Sequence, residues 1–247
     1  MSDREIVGEP VLRTEGLTKR FGGLVALEDA NVAVAPEEIV GLIGPNGAGK
    51  TTLFNCISGI HRPSAGSVWL NGEEITDSSA ERIARAGLTR TFQLTRPIEE
   101  LTTLENVMIG AHTHTKRRAE AKRIAHDWLE FVGLDHQAAV AAGDLTLGSQ
   151  KIMELARALA TNPDVLLVDE IMAGLTPSEK DEILNIFERI RSQGTSLVVI
   201  EHDLSAVMRI SNHVVVLDQG KVLSTGPPEQ VRNDQAVIDT YIGDHDE

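Results

Sequence analysis

Short apolar runs separated by polar and glycine-bearing breaks recur along the chain. They are Ile39-Val-Gly-Leu-Ile43, Val165-Leu-Leu-Val168, Ser196-Leu-Val-Val-Ile200 and Val214-Val-Val-Leu217. Runs of four or five mostly β-branched residues without polar alternation predict strands covered on both faces. Between them the periodicity changes. Thr52–Ser58, Ser149–Ala160, Ser178–Arg191 and Leu204–Ile210 read as helices. From Thr102 to Val132 the residues Ala121, Ile124, Ala125, Trp128, Leu129 and Val132 recur at three- and four-residue spacing, which predicts one apolar helix face. Val11–Val34 reads as strands around a Phe21-Gly-Gly23 turn, and Ser67–Leu70 as a strand entering the tight turn Asn71-Gly72. Strand–helix alternation predicts an α/β fold with a mostly parallel sheet, preceded by an antiparallel β portion and interrupted by a helical insertion.

Composition changes this picture little. The 247 residues are 41% hydrophobic and 24% charged, ordinary for a folded globular chain. No apolar run approaches the roughly 18 residues of a membrane span. Met1-Ser-Asp-Arg-Glu5 is charged and carries no secretory pattern, so the cytoplasm is the expected location. A net charge of −14 argues against broad binding to nucleic acid or anionic membrane. Lys116-Arg-Arg118 with Lys122 and Arg123 is a local exception, read as a solvated helix face rather than a docking patch. The single Cys56, set among Phe54, Ile57 and Ile60, reads as a buried structural thiol.

The chemistry concentrates at strand ends. Gly44-Pro45-Asn46-Gly47-Ala48-Gly49-Lys50-Thr51 fits the phosphate-binding loop G-x-x-x-x-G-K-[ST] at every fixed position, and it stands between a predicted strand and a predicted helix. Gly44, Gly47 and Gly49 let successive N–H groups converge on one anion, and the helix start adds its positive dipole end. Lys50 is expected to reach the β- and γ-phosphates, Thr51 to ligate Mg²⁺, and Thr52 to add a phosphate contact. Val165–Val168 delivers Asp169 and Glu170 to the top of the sheet. There Asp169 is expected to hold Mg²⁺ and Glu170 to polarise an attacking water. Val198-Val-Ile-Glu-His202 ends a second core strand at the same edge, where α/β proteins bind ligands. His202 is expected to bond the γ-phosphate or that water.

With these motifs the chain resembles the ATP-binding subunits of ABC transporters over nearly its whole length. Several further positions match the family's pattern. Gln93 in Thr91-Phe-Gln-Leu94 matches the Q-loop, whose glutamine senses Mg²⁺ and water. Leu145-Thr146-Leu-Gly148-Ser149 matches the signature position, Gly174-Leu-Thr176 the D-loop, and Phe21 the aromatic that stacks on adenine. The resemblance implies one ABC domain over 1–247. Residues of about 1–93 and 160–247 would form the nucleotide-binding core, and about 94–159 the helical signature subdomain. A closer resemblance is to subunits that power branched-chain (hydrophobic) amino-acid import. It rests on Arg20-Phe-Gly-Gly-Leu24, Arg90-Thr-Phe-Gln93, Leu104-Glu-Asn-Val107, Glu201-His-Asp203 and Gly226–Gln230 to Tyr241-Ile-Gly243.

The resemblance implies an ATPase using ATP and Mg²⁺, at the cytoplasmic face of the membrane. Its partners would be a second ATPase subunit, like or unlike, paired head to tail, and two transmembrane permease subunits. A solute-binding protein outside would feed them, and no nucleic acid is involved. In such a pair Thr146, Gly148 and Ser149 of one chain face the ATP of the other. Four positions depart from the family pattern: Thr146 replaces Ser while keeping the hydroxyl, Ser149 replaces Gln, Ile171 replaces Pro, and Thr176 replaces Asp or Asn. The alternatives are an importer of urea or a short amide, a soluble ABC protein of non-transport function, and a non-catalytic nucleotide-binding scaffold.

Overall fold

The computed structural model describes residues 9–91 and 97–243, the last three as backbone. Gln93, in the expected Q-loop, therefore lies outside the described residues, as does the segment Met1–Glu5.

The chain opens with β1 (Leu12–Phe21) and β2 (Leu24–Val34), then β3 (Ile39–Ile43) and helix α1 (Lys50–Ile57). There follow β4 (Ala65–Leu70), β5 (Glu73–Glu74), α2 (Ala80–Arg85) and β6 (Leu88–Arg90). A helical stretch contains α3 (Thr103–Ala111), α4 (Arg118–Val132) and α5 (Leu147–Leu159). The alternation resumes with β7 (Val165–Asp169), α6 (Pro177–Ser192), β8 (Ser196–Ile200), α7 (Leu204–Ile210) and β9 (His213–Asp218). The chain then runs through β10 (Lys221–Gly226), α8 (Pro228–Arg232) and α9 (Gln235–Gly243).

Two sheets result. The first is antiparallel in the order β2-β1-β4-β5. The second runs β10-β9-β3-β8-β7-β6; its strands are parallel except β10, which returns antiparallel on β9. The mixed α/β architecture expected from the apolar runs is thus the one observed. Alternation within each run explains the layering. Val40, Leu42, Val165, Leu167, Val198 and Ile200 face a core shared with the antiparallel sheet and with Leu53, Phe54 and Ile57 of α1. The intervening Ile39, Leu166, Val168, Leu197 and Val199 face α5 and α6 on the other side. With both faces covered, every residue of β3, β7 and β8 is buried.

The helical stretch read from about Thr102 to Val132 is made of two helices. The α3 helix ends at Ala111, and Thr113–Thr115 turn the chain before α4. The predicted face of α4 packs inward: Ala121, Ala125, Leu129 and Val132 are buried, with Ile124 and Trp128 against the same core. Its basic residues lie outward. Arg123 Nη1 pairs with exposed Asp127 at 2.7 Å and Arg118 with Glu105 at 3.8 Å, the solvated face expected.

Candidate functional site

The parallel neighbours β3, β8 and β7 end at one edge of the sheet. Their chain continuations, Gly44–Gly49, Glu201–Asp203 and Glu170, therefore converge. The glycine loop after β3 closes on α1, whose first residue is Lys50. Gly49 caps that helix with φ +104°, a left-handed backbone that other residues rarely adopt. A Cβ on Gly49 would also lie 2.7 Å from the Ala26 carbonyl of β2. One on Gly44 would collide with the Leu217 carbonyl of β9. Gly220 N–H donates to Ala48 O at 2.9 Å, so the β9–β10 turn forms part of the loop's floor.

A cavity of about 500 Å³ opens over this loop. Its wall includes Asn46 to Thr52, Glu170 and, from the flanking elements, Leu24, Ala26 and Gln219. Sequence reasoning missed Ala26 and Gln219, which come from a strand edge and a two-residue turn without a motif. The buried Lys50 ammonium donates to Gly44 O at 2.6 Å and Pro45 O at 2.9 Å. Burial pulls its pKa below the lysine range, while the nearby Glu170 and Asp169 carboxylates oppose that shift. Thr51 is exposed at the helix start.

Asp169 is buried at the end of β7. Its Oδ2 accepts from Arg90 Nη2 at 2.6 Å, and the other arm of that guanidinium donates to Asn55 Oδ1 of α1 at 2.6 Å. Asp169 Oδ1 is buried with no hydrogen-bond partner among the described residues. An orphaned carboxylate oxygen at the end of β7 and the exposed Thr51 at the start of α1 would make an all-oxygen donor set, which fits Mg²⁺ rather than a softer ion. Two side chains leave most coordination positions open, as for an ion that arrives on phosphates.

Glu170 follows with φ +48°, a strained conformation for a residue with a side chain. Its amide donates to Ile200 O at 2.9 Å, and its Oε1 lies 3.0 Å from His202 Nε2. The structure thus brings Lys50, Glu170 and His202 into one group. Beneath them, buried Glu201 accepts the Met172 amide at 2.8 Å. Burial first, and then proximity to Glu170, push its pKa up to about 7.

Phe21, Thr146, Gly148 and Ser149 do not line the cavity. Phe21 is 43% exposed at the β1–β2 turn, edge-on to His61 at 5.3 Å between ring centres, with Lys19 Nζ 4.9 Å from its ring. It is thus a partly exposed aromatic with one cation over its ring. Thr146 is the N-cap of α5 and accepts the Ser149 amide at 3.2 Å; its hydroxyl also bonds Ser149 Oγ. The shorter Ser149 side chain is thus turned onto its own helix cap. Gly148 has a reason inside the chain: a Cβ there would lie 2.5 Å from Glu179 Oε1. Glu179 is fixed because Thr176 and Glu179 form a reciprocal capping box at the start of α6. The Thr176 departure is therefore a helix cap, legible in the sequence as Thr176-Pro-Ser-Glu179. Ile171 is 1% exposed in the core. Cys56 is likewise buried, and burial raises its thiol to about 11, so it stays protonated and inert.

Comparisons with known proteins identify the family and the fold. The ABC transporter family model matches residues 27–173, and the branched-chain amino acid ATP-binding cassette transporter model matches residues 221–247. The chain is 41% identical to BraF of Pseudomonas aeruginosa, a high-affinity branched-chain amino acid transport ATP-binding protein. It is 39% identical to LivG of Escherichia coli, which is described in the same words. Each alignment covers 96% of this chain and 100% of the relative. Among solved structures, an ATP-binding cassette of an ABC transporter in its ADP conformation superposes with a TM-score of 0.88 at 32% identity. That match covers 96% of this chain and all of the other.

Proposed function

Because the chain belongs to the ABC transporter ATP-binding family, we propose that it is the ATPase subunit of an importer of branched-chain amino acids. The observation that carries the ATPase part is the pairing of Lys50 and Glu170 on the wall of the phosphate-loop cavity, with His202 bonded to Glu170. The cargo follows from the relatives' names and from the C-terminal match.

Each residue has a role in this reading. The loop amides and Lys50 hold the β- and γ-phosphates, with Lys50 exchanging its two carbonyl partners for phosphate oxygens. Phe21 stacks on adenine. Thr51 and Asp169, with Gln93, hold the Mg²⁺, which supplies charge neutralisation on the phosphates. Glu170 takes the proton of the attacking water while its oxygen bonds to γ-phosphorus and the bond to the β–γ bridging oxygen breaks. His202 fixes the carboxylate that does this. The signature residues Thr146, Gly148 and Ser149 face the ATP of a second subunit, and closure of the pair drives two permease subunits fed by an outer binding protein.

Among the described residues no helix is long and apolar enough to cross a membrane. Attachment to the inner face would therefore come through the permeases. The division into a core of about 1–93 and 160–247 and a signature subdomain of about 94–159 belongs to the same proposal.

Uptake of labelled leucine, isoleucine, valine, urea and acetamide by a deletion strain carrying this gene tests it. Restored uptake of the three amino acids, lost with Glu170→Gln, is expected. Restored uptake of urea or amide alone would overturn the cargo. Full uptake with Glu170→Gln would overturn the catalytic assignment.

A further inference from the structure

The Arg90–Asp169 pair is unusually deep for an ion pair. The side chains are 6% and 1% exposed and meet at 2.6 Å. Burying two opposite charges costs desolvation that their attraction often does no more than offset, so such a pair calls for a reason other than stability. Its geometry supplies one. Arg90 ends β6, Asp169 ends β7, and the second arm of the guanidinium reaches Asn55 on α1, the helix that begins with Lys50 and Thr51. The guanidinium also lies 5.4 Å from the Phe54 ring, so its plane is held as well as its nitrogens. A lysine could not serve Asn55 and Asp169 together in this way, because only the arginine fork has two arms in fixed relation. The Thr91 hydroxyl next in the chain accepts the Asp169 amide at 3.3 Å. One carboxylate oxygen is thus taken and its backbone tethered, while Oδ1 alone is left without a partner among the described residues.

We infer that Arg90 is a positioning residue for the magnesium site. It fixes the Asp169 carboxylate with Oδ1 presented for the ion's shell, and through Asn55 it holds that oxygen in register with the helix that carries Thr51. This rests on the Mg²⁺–ATP reading proposed above. Arg90 itself touches neither nucleotide nor metal; it sets where the acceptor oxygen stands.

The test separates nucleotide from metal. ATP affinity in EDTA is measured first, and then the Mn²⁺ affinity of the ATP-loaded chain by electron paramagnetic resonance. For Arg90→Met, ATP affinity in EDTA should stay within about twofold of wild type while Mn²⁺ affinity falls at least about tenfold, the usual scale for residues that orient a metal ligand. In an Asp169→Asn background, adding Arg90→Met should change Mn²⁺ affinity by less than about twofold, because the two act as one unit. If Arg90→Met fails to fold, Arg90→Lys and Asn55→Ala carry the test. Both leave a cation beside Asp169 and should still weaken Mn²⁺ several-fold. Unchanged Mn²⁺ affinity, additive losses in the double variant, or an equal loss of ATP binding in EDTA would overturn the inference. A wild-type chain that binds ATP but has no Mn²⁺ site would overturn both the inference and the reading beneath it.

Discussion

Glu201 is expected to make the stability of this chain fall as pH rises, and Glu201→Gln should abolish that effect. The side chain is 5% exposed at the end of β8 and accepts one hydrogen bond, from the Met172 amide. Desolvation, with Glu170 nearby, raises its pKa from 4.5 to about 7. The folded chain therefore holds this proton more tightly than the unfolded chain does. The stabilising contribution is fully present below pH of about 4.5 and is lost as pH rises through about 7. Two and a half pH units at about 1.4 kcal/mol each give a full swing of about 3.5 kcal/mol. Glutamine keeps an oxygen for the Met172 amide and has no charge to bury. Urea unfolding of wild type and variant, without nucleotide, from pH 5 to 9 provides the assay. Because about 0.8 kcal/mol of the swing is already lost at pH 5, the difference in unfolding free energy should shift by about 2.5 kcal/mol in favour of the variant across that range. Parallel curves would show that Glu201 ionises in the folded chain as freely as in water, and the reasoning from burial would fail.

Lys50→Ala should weaken ATP binding by about 2 kcal/mol or more through the lost charge-assisted contact, and a folded variant with wild-type affinity in a nucleotide titration would refute the phosphate-loop assignment. Glu170→Gln should keep ATP binding but slow hydrolysis by roughly 10²–10⁴-fold, so that the chain accumulates as an ATP-bound pair on size exclusion; monomer with near-normal turnover would refute the base. Gly148→Ala should lower the melting temperature, although alanine ordinarily favours a helix by about 1 kcal/mol over glycine, because the new Cβ displaces Glu179 from its capping box. The same change in a Glu179→Ala background should raise the melting temperature, and a rise in both backgrounds would show that Glu179 is no obstacle.

What the sequence revealed was decided by chain neighbours. The phosphate loop, Asp169, Glu170 and His202 each sit at the end of a run apolar enough to be read as a core strand. What it hid was decided by distant partners. Strand β6 has three residues, too few for any period, and exists because it pairs with β7. Strand β10 alternates weakly and leans on β9 as an edge strand. Arg90 was legible only as part of a family-like stretch; its pairing with Asp169 spans 79 positions. The break between α3 and α4 went unseen because apolar residues continue on both sides, although Thr102-Thr-Leu-Glu105 spelled out the capping box that starts α3. Thr176 looked like a lost charge when judged against a family pattern, yet its hydroxyl serves the next helix.

The position of β3 has a consequence for how the protein is made. This strand is complete at residue 43, but its neighbours in the sheet are β8 and β9, formed by residues 196–200 and 213–218. The floor of the phosphate loop waits for Gly220 as well. On the ribosome, β1, β2 and β4 have their partners early, while β3 stands with its edges open through most of synthesis. ATP therefore cannot act as a folding template for the growing chain. Its site is assembled only once the chain has emerged past Gly220, so a chain halted before that point lacks the floor of the phosphate loop or, halted earlier, both sheet neighbours of β3 as well.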